Sequence, residues 1–249
     1  MYIILNLAMG YNSWRWSVMI NNVKESFTKY YKSNNPEHVY PTEWVIRTFL
    51  GTYPSLALNN NNYCGAKILD IGFGDGRNWS LFNNLKLDIY GIEITESIVE
   101  LGKKRSSNLG INTNLRIGSN TNIPFENGMF DFILACHSCY YIDSGTTFVD
   151  NLIEYSRVLK PRGCLIVSLP ETNTVVLDGS IEREKGYFEI VNDPWGLRNG
   201  YLLRCFDSEQ EIKAEFTPYF DSFAFGLCRD NYYGTQINIH LCVCRKKQT

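Results

Sequence analysis

The stretch ILDIGFGDGRNW, residues 68–79, decides the fold of this chain. Asp70 lies in an apolar run, and three glycines follow it at alternate positions: Gly72, Gly74 and Gly76. Glycines spaced in this way let the backbone adopt positive φ and approach a ligand closely. In an open parallel sheet the ligand binds beyond the carboxyl ends of the strands. The stretch therefore predicts a buried strand that ends in a ligand-binding turn.

Two kinds of apolar pattern alternate through the rest of the chain. From residue 66 onward, short apolar runs alternate with segments whose apolar residues have helical spacing. This alternation is typical of βα units around a largely parallel sheet. The predicted strands are Lys67–Ile71, Asp88–Glu93, Asn114–Gly118, Phe130–Ala135, Cys164–Leu169, Ser222–Leu227 and Gln236–Val243. The predicted helices run from Thr95 to about Asn108, from Phe148 to a stop at 161–163, and over 208–216. Between the fifth strand and Tyr201 we expect irregular structure.

Two acidic residues indicate which ligand the turn binds. Glu93 ends the second predicted strand, where a carboxylate accepts hydrogen bonds from ribose hydroxyls. The spacing G-x-G-x-G differs from the G-x-G-x-x-G of dinucleotide sites, and Asp70 would repel a pyrophosphate but attract an ammonium group. An α-amino acid joined to adenosine carries such a group. The two carboxylates therefore indicate S-adenosylmethionine as the cofactor.

Several segments together resemble the class I S-adenosylmethionine-dependent methyltransferases, in particular a bacterial, type 11-like subgroup of unknown substrate. The segments are Ile68-Leu-Asp-Ile-Gly-Phe-Gly-Asp-Gly76, Ile89-Tyr-Gly-Ile-Glu93, Gly118-Ser-Asn-Thr-Asn-Ile-Pro-Phe125, Phe130-Asp-Phe-Ile-Leu-Ala135 and Arg157-Val-Leu-Lys-Pro-Arg-Gly163. The resemblance covers about residues 65–170. It implies a Rossmann-like α/β three-layer sandwich whose seven-stranded, mostly parallel sheet has the order 3-2-1-4-5-7-6 and an antiparallel last strand.

The same resemblance implies a cofactor site, carried over residue by residue. The implied contacts are Asp70, Gly72, Phe73 and Gly74 around the methionine part, Glu93 on the ribose, Ile94 on the adenine and Ala135 at the amino-acid end. Ser119 stands where the family often has an aspartate that binds the adenine amino group. Asn120 and Thr121 are the predicted substitutes, through an amide oxygen or backbone N–H groups. Tyr40, at a loop-to-helix junction before Pro41, is the predicted lid residue.

Candidate catalytic residues follow the fourth predicted strand. Methyl transfer from a sulfonium requires mainly positioning, but a hydroxyl or protonated amine acceptor must also lose a proton. His137 is the candidate base because imidazole titrates near neutral pH; alternatively it only shapes the cofactor pocket. Tyr140 and Tyr141 are candidates for the acceptor pocket, with one of them packing inward.

We expect one methyltransferase domain over residues 1–249. It divides into a helical cap or lid over 1–62, a cofactor-binding core over 63–170, and a substrate-side insertion with the antiparallel strands over 171–249. Four residues of the insertion either bind an anionic or sugar-like acceptor or only form a turn. They are Asp193, Trp195, Arg198 and Asn199.

Composition argues against several other functions. The net charge of -2 gives no electrostatic reason to bind nucleic acid, and no apolar run is long enough to span a membrane. The eight cysteines lie mostly in apolar runs, which favours reduced thiols. Cys136-His-Ser-Cys139 has metal-ligand spacing but no second CxxC, so we expect no metal site. We expect a cytoplasmic monomer or homodimer whose partner is a small-molecule methyl acceptor.

The sequence leaves other functions open beside methyl transfer to a small-molecule oxygen or nitrogen. A protein of the same fold could bind the cofactor without transferring a methyl group, or transfer an aminopropyl group from a decarboxylated relative. An NAD-dependent oxidoreductase is disfavoured by the glycine spacing. A protein or RNA methyltransferase is disfavoured because no Asp/Asn-Pro-Pro-Tyr type sequence follows the fourth strand and the chain is not basic.

Overall fold

Eleven strands and six helices occur in the part of the chain that a computed structural model describes, which is residues 23–34, 38–56, 58 and 63–248. The helices are α1 (residues 23–33), α2 (Glu43–Leu50), α3 (Trp79–Asn84), α4 (Glu96–Asn108), α5 (Phe148–Val158) and α6 (Glu209–Phe216). The strands are β1 (Lys67–Ile71), β2 (Asp88–Glu93), β3 (Thr113–Ile117), β4 (Phe130–Ala135), β5 (Tyr141–Ile142), β6 (Leu159–Pro170), β7 (Ile181–Glu184), β8 (Tyr187–Glu189), β9 (Leu202–Arg204), β10 (Phe220–Tyr232) and β11 (Thr235–Lys246). Much of the predicted cap over 1–62 lies outside the described residues.

The central sheet confirms the predicted fold class. Its seven strands have the order β3-β2-β1-β4-β6-β11-β10, which is the predicted order 3-2-1-4-5-7-6 when the strands of this sheet alone are numbered. The pairs of β1 with β2 and β4, of β2 with β3, and of β4 with β6 are parallel. The last strand, β11, runs antiparallel to both β6 and β10.

Alternating residues of the strands bury apolar side chains on both faces of this sheet. On one face, Leu69 and Ile71 of β1 pack in a cluster with side chains of α5 and α6. On the other face, Ile68 packs with side chains of α2, α3 and α4. This period of two, covered on both sides by helices, is what a parallel sheet requires. Within the described part, the chain is therefore the predicted three-layer sandwich.

Most predicted elements are confirmed to within a residue or two of their ends. β1, β2 and β4 have the predicted bounds, and β3 is shifted by one residue. Thr95 caps α4 as predicted, because its side chain accepts a hydrogen bond from the Ile98 N–H at 3.3 Å. The hairpin strands β10 and β11 are longer than predicted and turn at Tyr233 and Gly234, both at positive φ.

Two predictions about chain irregularity are wrong. Residues 171–201 were expected to be irregular, but β7 and β8 form there and join β9 and β5 in an antiparallel four-stranded sheet of order β5-β9-β8-β7. These strands are short, and every residue of β7 is exposed, so no apolar alternation marks it. Helix α5 ends at Val158, before the predicted stop at 161–163, but the next strand, β6, begins at Leu159 and not at Cys164. Residues 161–163 therefore lie in an irregular part of β6, between the pairs Phe130–Leu159 and Phe132–Cys164.

Candidate functional site

The turns that follow β1 and β2 are joined at the carboxyl edge of the sheet. The Gly72 N–H donates to the Ile92 carbonyl at 3.0 Å, and the Gly118 N–H donates to the Glu93 carbonyl at 3.0 Å. After β4, the Ser138 hydroxyl donates to the Ile71 carbonyl at 2.5 Å. The segments beyond three strands therefore form one connected rim.

Glu93 is a buried carboxylate with two backbone donors. Its Oε1 accepts from the Gly74 N–H and its Oε2 from the Ile94 N–H, both at 2.9 Å. Burial raises the pKa of Glu93, and the two N–H donors oppose that rise. The side chain thus ties the glycine turn to the end of β2, and each oxygen retains a lone pair for a ligand.

Asp70 is also buried, but its second oxygen has no partner. The side chain is 1% exposed, and no described residue donates a hydrogen bond to Oδ2. The pKa of Asp70 is raised to about 8, mainly by burial and in smaller part by the negative charges of Glu93 and Asp75. The Trp79 indole is near enough to lower this pKa without having hydrogen-bond geometry. An unpartnered buried carboxyl is costly, so the site is suited to a cationic ligand group.

Two glycines of the turn occupy positions where a side chain does not fit. Gly72 and Gly74 have φ of 64° and 57°, in the left-handed region. A Cβ on Gly72 would lie 2.8 Å from the Ser138 Cβ, and a Cβ on Gly74 would collide with the Tyr31 hydroxyl. The turn therefore needs glycine both for its conformation and for close packing.

A cavity of about 430 Å³ opens beside this rim, within the size range of small-ligand pockets. Nine of the predicted site residues line it. They are Asp70, Gly72, Phe73, Glu93, Ile94, Ser119, Asn120, His137 and Tyr140. The structure thus brings together residues that the sequence separates by up to about seventy positions, at the edge where a parallel sheet binds ligands.

Four predicted residues do not line the cavity. Tyr40 is 79% exposed, because the segment before α2 is anchored by Thr42, whose N–H donates to Asn78 Oδ1 at 3.1 Å. Thr42, rather than Tyr40, therefore reaches the cavity from this segment. The other three are Gly74, Thr121 and Ala135, of which Gly74 is covered by Tyr31 and Ala135 is buried within β4. We remove Tyr40 from the site and keep the others as structural supports.

The amide of Asn120 is less available than the sequence suggested. Its Nδ2 donates to the carbonyls of Ser138 at 2.9 Å and Tyr141 at 3.2 Å, and its Oδ1 accepts from the Tyr155 hydroxyl at 2.7 Å. The Ser119 hydroxyl is 3.4 Å from that of Thr121. The Asn120 side chain therefore connects the β3 and β4 turns to α5.

Replacing Tyr155 by Phe should weaken both folding and ligand binding. Tyr155 is fully buried, so losing its hydroxyl leaves Asn120 Oδ1 without a partner, at about 1–2 kcal/mol in the free energy of unfolding. Because Asn120 lines the cavity, the affinity for S-adenosylhomocysteine should fall as well. Urea unfolding and calorimetric titration measure the two effects.

Tyr63→Phe is the matched control for this change. Its hydroxyl donates to the Phe49 and Leu58 carbonyls, and Tyr63 does not line the cavity. The control should lose stability and keep its affinity. An equal loss of affinity in both variants would mean that Asn120 has no special part in the site.

His137 lies at the cavity wall in a strained conformation. Its φ is 57°, its N–H donates to Ser168 Oγ at 2.8 Å, and its Nδ1 is 3.4 Å from the same oxygen. The pKa of His137 is lowered to about 4, mainly by burial and in smaller part by the positive charges of Arg198 and Arg77. The imidazole is therefore neutral near pH 7. Such a left-handed non-glycine residue is often found at functional sites.

Tyr140 is stacked on Tyr141, with ring centroids 5.0 Å apart. Burial raises the pKa of Tyr140 well above its ordinary value, so its hydroxyl stays protonated. Among the described residues no hydrogen bond involves that hydroxyl, and Tyr140 lines the cavity. Tyr140 can therefore donate a hydrogen bond to a ligand but does not act as a base.

The sequence did not single out the part of the cavity wall that α1 forms. Phe27, Tyr30 and Tyr31 line the cavity, and Tyr31 covers the glycine turn. Burial raises the pKa of Tyr31 above its ordinary range, with Glu93 and Asp75 adding to the rise. The aromatic pair at 30–31 was visible in the sequence, but nothing indicated which face of the helix meets the turn.

Neither a metal site nor a disulfide is found among the described residues. No group of three or more His, Cys, Asp or Glu side chains there could hold a metal ion, and none of the cysteines there forms a disulfide. Cys139 is buried, with its thiol donating to the Ser168 carbonyl at 3.4 Å, and burial raises its pKa. Its neighbour in the CxxC, Cys136, lines the cavity and has its pKa raised to about 12. Both thiols therefore stay protonated.

Comparison with known families identifies the core that carries this site. Residues 69–167, from β1 to β6, match a family described as "Methyltransferase domain". The matched stretch contains Asp70, the glycine turn, Glu93 and His137. This chain contains a methyltransferase domain. The family predicted from the sequence is thereby confirmed, whereas no curated protein sequence matches the chain.

Solved structures with the fold of this methyltransferase domain are distant in sequence. The 1,6-didemethyltoxoflavin-N1-methyltransferase of Burkholderia thailandensis, solved with its substrate and S-adenosylhomocysteine, has a TM-score of 0.63 and 14% identity, covering 94% of this chain and 91% of that one. A protein of Methanosarcina mazei titled as a SAM-dependent methyltransferase has a TM-score of 0.59 and 18% identity, covering 80% and 99%. The [4+2]-cyclase SpnF has a TM-score of 0.51 and 17% identity, covering 75% and 76%.

These likenesses establish the fold of the methyltransferase domain, not its reaction, since one of the three structures is titled a cyclase. The family match and the methyltransferase relatives support S-adenosylmethionine as the cofactor, as the sequence predicts. The site fits such a group, because Asp70 has an unpartnered oxygen and the glycine turn leaves no room for side chains. Among the described helices, none is long and apolar enough to cross a membrane.

Proposed function

We propose that this chain transfers a methyl group from S-adenosylmethionine to an oxygen or nitrogen atom of a small molecule. The observation that carries the proposal is the buried Asp70 carboxyl, which has an unpartnered oxygen at the wall of a cavity of about 430 Å³. When bound, the cofactor supplies a methyl group activated by a sulfonium. The protein then has to hold both reactants and exclude water.

Each carboxylate has its own part in binding the cofactor. Asp70 would accept hydrogen bonds from the ammonium group, which removes the cost of leaving its oxygen unpartnered. Glu93 would accept from the ribose hydroxyls while its backbone donors keep it in place. The cluster of Asp70, Glu93 and Asp75 favours a cation, which argues against the pyrophosphate of NAD.

Neutral His137 would orient the acceptor and accept its proton. A pKa of about 4 makes it a weak base that is already deprotonated at pH 6–8. Tyr140 would donate a hydrogen bond from the same turn. We also propose that the protein is cytoplasmic and is a monomer or a homodimer. Its partner is then a small molecule and not nucleic acid or a membrane.

Calorimetric titration with S-adenosylhomocysteine, S-adenosylmethionine and NAD, each separately, tests the cofactor. We expect micromolar binding of the first two and none of NAD. Labelled S-adenosylmethionine with a panel of small acceptors then tests transfer. Binding without transfer to any acceptor would favour a cofactor-binding protein, and preference for decarboxylated S-adenosylmethionine would favour an aminopropyl transferase.

The change His137→Gln should slow methyl transfer by about 10–100-fold and leave the affinity for S-adenosylhomocysteine nearly unchanged. In the wild type, no loss of rate due to His137 should occur between pH 8 and pH 5, because the imidazole gains its proton only as pH falls through about 4. His38→Gln, at an exposed histidine, is the control. Equal turnover in H137Q and wild type would exclude His137 as the base.

A further inference from the structure

The loop over 193–201 is folded around one buried carboxylate. The side chain of Asp193 is fully buried, and its oxygens accept from the backbone N–H groups of Trp195, Leu197 and Arg198 at 3.3, 2.8 and 3.0 Å. The Asp193 N–H in turn donates to Asn199 Oδ1 at 2.7 Å. The carboxylate of Asp193 and the amide oxygen of Asn199 are therefore used inside the loop, and neither residue lines the cavity.

This loop places Arg198 at the cavity wall with one side of its guanidinium unused. Nη1 donates to the two Asp193 oxygens at 3.1 and 3.0 Å, and Nε donates to the Tyr141 hydroxyl at 2.8 Å. Nη2 has no hydrogen-bond partner among the residues that the structure describes. The guanidinium carbon lies 5.5 Å from the centre of the Trp195 ring. Arg198 is thus held in one orientation before any ligand arrives.

Aromatic side chains surround this guanidinium on the cavity side. Tyr141 is stacked on Tyr140, and Tyr201 meets Tyr141 edge-on at 5.1 Å. Trp195 completes the set, and all four line the cavity. Flat apolar walls beside one oriented donor are suited to a ring that carries an acceptor group.

We infer that the methyl acceptor is an aromatic or heteroaromatic carboxylate whose carboxylate binds Arg198. This inference rests on the proposed function and names its substrate class. An arginine that is pre-oriented by a buried partner is the side chain best suited to a planar carboxylate. A sugar-like acceptor is disfavoured, because the Asp193 carboxylate that would bind its hydroxyls is buried and accepts three backbone hydrogen bonds within the loop.

The position of Arg198 also relates the acceptor to the candidate base. Arg198 and His137 line the same cavity, and the charge of Arg198 is near enough to lower the pKa of His137. A ring anchored at Arg198 would therefore occupy the cavity that His137 and Tyr140 also line. In this arrangement Arg198 is a binding residue and touches the carboxylate, not the methyl group.

The first test compares benzoate with benzamide, its neutral isostere, on the full chain saturated with S-adenosylhomocysteine. Dissociation constants come from NMR titration of each probe. We expect benzoate to bind at least about tenfold more tightly than benzamide. Equal affinities, or no binding of benzoate to protein shown to hold S-adenosylhomocysteine, would overturn the inference and leave the proposed function standing. Failure of S-adenosylhomocysteine itself to bind would instead contradict the proposed function.

Variants at Arg198 form the second test. Arg198→Met should weaken benzoate binding about tenfold or more and leave benzamide binding unchanged, whereas Arg198→Lys should retain part of the preference. Arg183→Met is the matched control, because Arg183 lies in β7, pairs with Glu189 and does not line the cavity. Unchanged benzoate affinity in R198M would contradict the inference. If R198M does not fold, the benzoate to benzamide ratio of R198K and wild type decides.

Discussion

The change Asp70→Asn should abolish most cofactor binding and yet stabilise the ligand-free protein at pH 8. The folded-state pKa of Asp70 is raised to about 8 from an ordinary 3.8, so its favourable contribution is complete below pH 4 and is lost as the pH rises through 8. Asparagine has no charge to bury. We expect its advantage over wild type to grow by about 1–3 kcal/mol between pH 5 and pH 8, less than the full linkage value because the cavity admits water.

Urea unfolding of both proteins at pH 5 and pH 8, without ligand, measures this effect. The matched control is Asp131→Asn, because Asp131 is partnered: its carboxylate accepts from Lys160 Nζ at 2.8 Å and from the Lys67 N–H at 2.9 Å. At pH 8, D131N should be less stable than wild type, whereas D70N should be more stable than wild type. A D70N protein that is no more stable than wild type at pH 8 would mean that the Asp70 carboxylate already has a partner in solution.

The same carboxyl should make cofactor binding release a proton. At pH 7 the wild-type carboxyl is mostly protonated, whereas an ammonium ligand requires the carboxylate. Titrations with S-adenosylhomocysteine in buffers of different ionisation enthalpy should therefore give different apparent enthalpies. D70N should lose about 10–100-fold in affinity and show a smaller buffer dependence. Equal buffer dependence in the two proteins would place the released proton on another group.

Glu93→Gln should also weaken cofactor binding, but with the opposite effect on stability. Glutamine keeps one oxygen and places an NH₂ group against either the Gly74 N–H or the Ile94 N–H, so one donor faces another. Burial raises the pKa of Glu93, but its charge already has two donors, so the lost contact should outweigh the relief of a buried charge. We expect a loss of about 1–2 kcal/mol in the free energy of unfolding.

The affinity of E93Q for S-adenosylhomocysteine should fall about tenfold or more, because the glycine turn loses its tie to β2 and the ribose loses an acceptor. Faster hydrogen exchange at the Gly74 or Ile94 amide would identify which contact is lost. Glu100→Gln is the control, since Glu100 is exposed and pairs with Lys103 at 2.6 Å. If E93Q were more stable than wild type, the free-energy cost of burying the Glu93 charge would exceed the stabilisation from its two hydrogen bonds.

The loop around Arg198 shows which features of the site local sequence patterns can and cannot predict. The sequence singled out Asp193, Trp195, Arg198 and Asn199 and left two interpretations open: an acceptor site or a turn. In the structure Asp193 and Asn199 form the turn, whereas Trp195 and Arg198 line the cavity. Which polar group is already satisfied depends on contacts within the folded loop, and spacing alone does not reveal them.

Tyr40 and Tyr31 show the same limit on the opposite side of the site. Both were visible as aromatic residues of the N-terminal segment, and the junction before Pro41 favoured Tyr40 as the lid. The docking of Thr42 on Asn78 leaves Tyr40 exposed, while the orientation of α1 places Tyr31 on the glycine turn. Those choices follow from how helices pack on the sheet edge, which is a long-range property.

The amino-acid sequence by itself determined the central sheet, the glycine turn and the methyltransferase family, and it singled out Asp70 and Glu93, which line the cavity. Each rests on local chemistry, because apolar period, glycine spacing and strand-end acids act over a few residues. Only the tertiary structure decided that Glu93 has its donors and Asp70 does not, that His137 is neutral, and that Arg198 has an unused donor. Burial and hydrogen-bond satisfaction arise from residues far apart in the chain, so these properties exist only once the chain is folded.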